Sequence, residues 1–225
     1  QSQVLGDTGV LAQYLDPAAG NQAIPSMIFY GPPGTGKTTL ARLLANSNER
    51  RFIEVSAINS SIAELRSAMQ TSVADIQAGR DAAIVFVDEI HRFSKVQQES
   101  LLKSVEDGEI VLIGATTENP SFALTSAILS RAAVIELVNI AEADLVSLLN
   151  SALESERGLE GKVQASPQVL QLIAGQSGGD ARKALTVLET AANRVIRAGL
   201  TEIKQEDVSA TINKALNRYD STGDQ

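Results

Sequence analysis

The apolar run Met27-Ile28-Phe29-Tyr30 leads straight into Gly31-Pro-Pro-Gly-Thr-Gly-Lys-Thr38, and that into the helical pattern Thr39-Leu-Ala-Arg-Leu-Leu-Ala45. A strand, a glycine-rich loop and a helix in this order admit few folds. The glycines let the backbone turn tightly with its N–H groups pointing inward, so loop and helix N-terminus together make an anion nest. The spacing Gly31-x-x-x-x-Gly36-Lys37-Thr38 is that of a phosphate-binding loop. Its chemistry assigns Lys37 to the β- and γ-phosphates of a nucleotide and the Thr38 hydroxyl to Mg²⁺. Gly31, Pro32, Pro33, Gly34, Thr35, Gly36, Lys37, Thr38 and Thr39 are therefore the expected nucleotide-binding segment.

Ile84-Val-Phe-Val87 is a second short, continuous apolar run, as a buried parallel strand requires, and Asp88 and Glu89 follow at its C-terminal end. Open α/β sheets bind their ligands at that end. Asp88 is expected to hold the Mg²⁺ hydration shell, and Glu89 to orient and activate an attacking water. Paired acids alone would equally suit a solvated turn; the phosphate loop upstream decides for chemistry. His91 is the sole histidine, and with no cysteine it lacks partners for an ordinary zinc site. It reads as structural, or as a support behind the acids.

Up to about residue 138, strand runs alternate with amphipathic helices, the pattern of a parallel βαβ sheet. Strands are expected at Met27–Tyr30, Phe52–Val55, Ile84–Val87, Ile110–Gly114 and Val134–Leu137. Ile62, Leu65, Met69, Val73 and Ile76 recur as one face of a helix ended by Gly79, and a further helix runs over about Lys95–Val105 to the Asp107-Gly108 turn. From about residue 139 the strand signals stop. Leu145, Leu148, Leu149, Ala152 and Leu153 form a helical stripe, with Asn139 and Glu142 spaced as a capping box. Ser166-Pro167 reads as an N-cap followed by proline at the first helical position. Leu185, Leu188, Ala192 and Val195 continue helically to Gly199, and a last helix covers about Gln205–Leu216. The expected division is an α/β domain over 1–138, a small all-α domain over 139–217 and the start of a linker over 218–225.

With 44% hydrophobic and 20% charged residues among 225, the composition is that of an ordinary globular protein. No stretch approaches a membrane span and no signal peptide is visible. The absence of cysteine excludes a disulfide scaffold and fits a reducing compartment. A net charge of −8 gives no global attraction to nucleic acid, whose binding rests on phosphate neutralisation. Any DNA contact must then come from a local patch, from assembly or from other parts of the protein. The lack of an initiating Met and the polar tail to Gln225 suggest an excised fragment.

The arrangement resembles an AAA+ ATPase: a P-loop NTPase domain with a five-stranded parallel sheet, then a helical lid. Within that superfamily it is similar to the replication-associated recombination protein A family, whose eukaryotic relative is the Werner-helicase-interacting protein. The residues that carry the likeness are Asp88-Glu-Ile-His-Arg-Phe93, Lys95 with Gln97-Gln98, Glu106-Asp-Gly108 and Ile113-Gly-Ala-Thr-Thr-Glu-Asn-Pro-Ser-Phe122. Ser126-Ala-Ile-Leu-Ser-Arg131, Gly179-Asp-Ala-Arg-Lys-Ala-Leu185 and Arg218-Tyr-Asp220 also fit. The Glu-Asn-Pro-Ser-Phe stretch sets the chain apart from clamp-loader subunits and branch-migration helicases.

The resemblance implies further roles. Thr117 takes the sensor-1 position that helps hold the attacking water, with Thr116 as the alternative. Arg131 is the arginine finger that reaches the γ-phosphate of a neighbouring subunit, and Arg182 is sensor 2 on the lid. Ser56 resembles the polar residue that restrains the catalytic Glu in related ATPases. Val4, Leu5 and Gly6 are the remnant of an adenine pocket. The implied activity is ATP hydrolysis with Mg²⁺, coupled to remodelling or recruitment at stalled replication forks and DNA junctions in the bacterial cytoplasm. A tetramer would form through a C-terminal domain beyond Gln225, so the fragment alone is expected to oligomerise weakly and hydrolyse slowly. The rival expectations are a nucleotide-gated assembly factor that does not turn over, or an AAA+ subunit of the clamp-loader or branch-migration type; a small-molecule P-loop kinase lacks support.

Overall fold

The five apolar runs become five parallel strands: β1 (Met27–Tyr30), β2 (Phe52–Ser56), β3 (Ile84–Asp88), β4 (Val111–Thr116) and β5 (Ala133–Glu136). The computed structural model describes residues 9–15 and 23–220, with side chains as far as 212; Val4, Leu5 and Gly6 lie outside the described residues. The strand order is β2-β3-β4-β1-β5, so β1, which feeds the glycine loop, lies between β4 and β5. Two compact units divide the chain at Val138 and Asn139.

In the first unit, α1 (Ala12–Leu15) precedes β1, and α2 (Lys37–Ser47) follows the loop. α3 (Ile62–Gln77) precedes β3, and α4 (Lys95–Glu106) precedes β4. The short helices α5 (Pro120–Ala123) and α6 (Ser126–Leu129) lead to β5. Strand alternation gives the sheet two different faces. Met27, Phe29, Ile84, Phe86, Val111, Ile113 and Ala115 pack with Leu40, Ala41 and Leu44 of α2. Ile28, Val85, Val87 and Leu112 pack on the other side with Leu65, Met69 and Leu101 from α3 and α4.

The buried face of α3 differs from the expected stripe. Leu65 and Met69 are buried, but Ile62 and Ile76 remain 44% and 39% exposed, and Ala68, Ser72 and Asp75 fill the interior. Both polar side chains are partnered there, which makes their burial tolerable. Ser72 Oγ accepts from the Ala83 N–H at 2.7 Å and donates to the Glu109 carbonyl at 2.6 Å. Asp75 lies between Arg51 and Arg80, 2.6 and 2.7 Å away. Apolar periodicity alone could not rank Ser72 and Asp75 above Val73 and Ile76. Ser61 and Ser94 close capping boxes with Glu64 and Gln97 at the starts of α3 and α4.

The second unit contains α7 (Glu142–Glu154), α8 (Pro167–Ser177), α9 (Ala181–Arg197) and α10 (Gln205–Asp220) around Leu145, Leu149, Leu170, Ile173, Leu188 and Val195. Ser166 caps α8 through the Val169 N–H, with Pro167 in the first turn as expected. The expected Asn139–Glu142 box does not form, because Ala141 is the N-cap of α7. Asn139 instead packs against Gly179, whose carbonyl accepts the Ile140 N–H at 3.1 Å. A two-residue parallel pair, β6 (Gln164–Ala165) with β7 (Glu202–Ile203), adds a small strand ladder to the helices. Among the described residues, no helix is long and apolar enough to cross a membrane.

Candidate nucleotide site

The first residue of the loop can only be glycine. Gly31 has φ 147°, and a Cβ there would run into the Leu137 carbonyl oxygen beyond β5. The chain holds that approach with hydrogen bonds on both sides: Leu137 N–H to Tyr30 O at 2.8 Å and Gly31 N–H to Thr116 O at 3.2 Å. Tyr30 faces Glu136 across the β1–β5 pair, and the hydrogen bond to that carboxylate raises the phenol above its usual range. Thr35 Oγ1 donates to Pro32 O at 2.9 Å. Gly36, in the left-handed region at φ 92°, is the N-cap of α2 and supplies no side-chain cap. Helix starts normally satisfy first-turn N–H groups with a cap side chain or with an anion.

Lys37 is buried and arches over the loop, its Nζ donating to Gly31 O and Pro32 O, both at 2.8 Å. Thr38 is half-buried and Thr39 exposed on the first turn of α2, while Pro32 and Pro33 are exposed and Gly34 half-buried. Asp88 ends β3, and its carboxylate accepts the Glu89 N–H at 3.1 Å. Glu89 has φ 54° and ψ 43°, a left-handed conformation that an ordinary side chain adopts at a cost of about 1–3 kcal/mol. Glu49 and Glu160 also have positive φ, so it is the place of Glu89 directly after β3, not the conformation alone, that marks it.

A 3₁₀ turn, Ile90–Arg92, follows. Its Ile90 reaches the sheet because β4 has Gly114 opposite; a Cβ there would lie 2.8 Å from both Ile90 Cδ1 and Ile28 Cδ1. The turn thus brings His91 against β4. Its Nδ1 is 2.9 Å from Thr116 Oγ1 and 3.4 Å from Glu89 Oε2, and its Nε2 is 3.3 Å from Glu118 Oε1. Gln98 secures the end of the turn: its amide donates to Phe93 O at 3.1 Å and accepts the Thr125 N–H at 2.9 Å.

The expected residues do not all fall together. Gly31 to Thr39 are gathered in the loop and the first turn of α2, with Asp88 and Glu89 at the carboxyl end of the same sheet. Thr117 is exposed one residue past β4, whereas Thr116 is fully buried against His91. Arg131 stands apart after α6, half-exposed, with its Nε 2.6 Å from Glu106 Oε1. Arg182 is exposed in the first turn of α9, in the second unit, beside the N-cap Asp180. Ser56 is the register partner of Asp88; among the described residues no hydrogen bond joins it to Glu89. Glu118, Gln98 and Gly114 lie in segments that carry the family likeness, but no role was assigned to them, since each acquires its partner only in the folded chain.

Among the described residues no group of three or more His, Asp or Glu side chains could hold a metal ion unaided. Thr38 and Asp88 carry a hydroxyl and a carboxylate, the donor types Mg²⁺ takes while phosphates and water fill the rest of its octahedron.

The family model described as "ATPase family associated with various cellular activities (AAA)" matches residues 27–140, and that of an AAA C-terminal domain matches 159–225. The chain is 42% identical over 204 residues to replication-associated recombination protein A of Escherichia coli K12, covering 89% of this chain and 45% of that protein. It is 36% identical over 192 residues to ATPase WRNIP1 of Dictyostelium discoideum, covering 85% of this chain and 21% of the relative. The chain thus spans about half the length, or less, of these relatives. Among solved structures, a Thermotoga maritima RuvB mutant superposes with a TM-score of 0.73 at 23% identity, over 90% of this chain and 66% of that one. The phosphate loop, the acids at the end of β3 and the β2-β3-β4-β1-β5 sheet agree with these matches: the chain belongs to the AAA ATPase family, and within it is similar to the replication-associated recombination proteins.

Proposed function

We propose that the chain is the motor of an Mg²⁺-dependent ATPase that works on DNA during replication-associated recombination and repair. The observation that carries this reading is the Gly31–Lys37 cradle, closed against Leu137 and Thr116, with Asp88 and Glu89 at the carboxyl end of β3 in the same parallel sheet. Loop N–H groups and Lys37 would receive the phosphates of ATP. Thr38 and Asp88 would hold Mg²⁺, which neutralises phosphate charge when bound. Glu89 takes a proton from a water as its oxygen bonds to the γ-phosphorus, and the bond to the bridging oxygen of ADP breaks. Arg131 from a neighbouring subunit and Arg182 offset the charge that develops on the phosphoryl oxygens.

Exposure supports Thr117 rather than Thr116 as the residue that holds the water. Thr117 is exposed one residue past β4, whereas Thr116 is buried with its hydroxyl engaged by His91 and by the Glu118 N–H. The organisation into a nucleotide domain over 1–138 and a helical lid over 139–217 is part of the same proposal. Similarity to replication-associated recombination protein A and ATPase WRNIP1 supports action at stalled forks and single-strand/double-strand junctions, as a homo-oligomer in the cytoplasm, near the nucleoid. The test is phosphate release by the complete protein with and without forked DNA, alongside Glu89→Gln. Stimulation by the fork and loss of turnover in the variant are expected; unchanged release in Glu89→Gln would remove the base assignment.

A further inference from the structure

We propose that His91 is a positioning residue for Glu89, and that Glu118 in turn fixes the ring of His91. The proposal deepens the ATPase reading and rests on its assignment of Glu89 as the base.

The geometry is that of a carboxylate–imidazole–carboxylate chain. The His91 side chain is 5% exposed, and both nitrogens face a named oxygen. Nδ1 stands between Thr116 Oγ1 at 2.9 Å and Glu89 Oε2 at 3.4 Å, while Nε2 stands 3.3 Å from Glu118 Oε1. Thr116 is held in turn, since its Oγ1 accepts the Glu118 N–H at 3.0 Å and its backbone carbonyl accepts the Gly31 N–H at 3.2 Å. A single threonine therefore touches the first residue of the phosphate loop through its backbone and the histidine through its hydroxyl. The ring lies within reach of the base and of the end of β4 on its Nδ1 edge, and of Glu118 on its Nε2 edge.

A flexible glutamate in a left-handed turn would otherwise sample several rotamers, and each misplaced one is unproductive. Catalysis by a positioned base falls off steeply with misplacement, a 1 Å error costing up to a hundredfold. The ring narrows that choice through a buried group whose own freedom is limited by Thr116 and Glu118. None of these residues touches the nucleotide-binding segment with its side chain, so ATP affinity should not depend on them.

The experiment measures steady-state ATPase of the complete protein for His91→Ala, His91→Gln and Glu118→Ala, with nucleotide affinity measured separately by titration of a fluorescent ATP analogue. The expected result is a tenfold to hundredfold fall in kcat for His91→Ala, with KM and analogue affinity within about twofold of the parent. His91→Gln, which keeps a donor, should recover part of the loss. Glu118→Ala alters an exposed side chain and leaves the core intact, so it tests the chain even where His91→Ala fails to fold; a fall in kcat of about threefold or more is expected. Adding His91→Ala to Glu89→Gln should cause no further loss, because both act on one step. An unchanged kcat in His91→Ala or Glu118→Ala would overturn the proposal, as would equal losses in kcat and in analogue affinity. Full turnover by Glu89→Gln itself would instead sink the underlying base assignment, a separate and recognisable outcome.

Discussion

Arg131 and Glu106 form an ion pair at 2.6 Å on the rim of the first unit. Glu106 is the last residue of α4, whose N-cap, Ser94, closely follows the His91 turn. The same guanidinium donates to the Ala127 carbonyl and the Ser130 hydroxyl at 3.2 and 2.9 Å. One helix thus borders the acidic turn at its start and orients the candidate finger at its end.

If Arg131 acts on the nucleotide of a neighbouring subunit, Arg131→Ala should lower kcat of the assembled protein by about 10³-fold or more while ATP binding persists. The pair with Glu106 is half-exposed and contributes about 1 kcal/mol at most, so thermal stability should barely change. Mixing Arg131→Ala with Glu89→Gln subunits should restore part of the turnover, because each supplies what the other lacks. A mixture as inactive as its components would count against action in trans.

Gly31→Ala should remove nucleotide binding and destabilise the first unit by about 2 kcal/mol or more, because the methyl meets the backbone oxygen of Leu137 and φ is 147°. Calorimetric titration with ATP together with thermal denaturation checks both effects. Wild-type affinity in the variant would contradict the described approach of the loop to Leu137.

Ser72→Ala should lower stability by about 2 kcal/mol, since the buried Ala83 N–H and Glu109 carbonyl would both lose their partner. For a chain of this size that corresponds to a Tm about 4–8 °C lower. Val73→Ala, on the adjacent and less buried position, should cost clearly less. Equal costs would mean that the apolar stripe, not the serine, seats α3.

In the second unit Lys162 Nζ is 2.7 Å from Glu160 Oε2, and that hydrogen bond lowers the pKa of the carboxyl. A folded-state value below the unfolded one adds stability at neutral pH, which is lost as pH falls through the folded value. The effect is small because the pair is exposed. Carboxyl chemical shifts should show Glu160 titrating below an ordinary glutamate, and Lys162→Met should return it upward; an unmoved midpoint would discount the pair.

Much of the fold was legible because continuous apolar runs such as Ile84–Val87 have few structural alternatives, and because the loop and Ser166-Pro167 carry their geometry in residue type. The buried face of α3 was not, since Ser72 is admitted by partners on either side of β3 that only the folded chain supplies. The start of α7 was misread for a related reason, as Asn139 is engaged by Gly179 from another loop. In the candidate site, Lys37, Asp88 and Glu89 could be named from local spacing. The setting of His91 could not, because Thr116 and Glu118 reach it from a neighbouring strand whose place in the sheet no local pattern encodes.

Gly114 gives that setting its tolerance. Two isoleucine methyl tips already stand 2.8 Å from the point where a side chain would begin, so the distance between the acidic turn and the sheet is fixed by the smallest atom available. Anything bulkier would lift Ile90 and, with it, the residues before and after. The machine would lose its aim while its scaffold still stood.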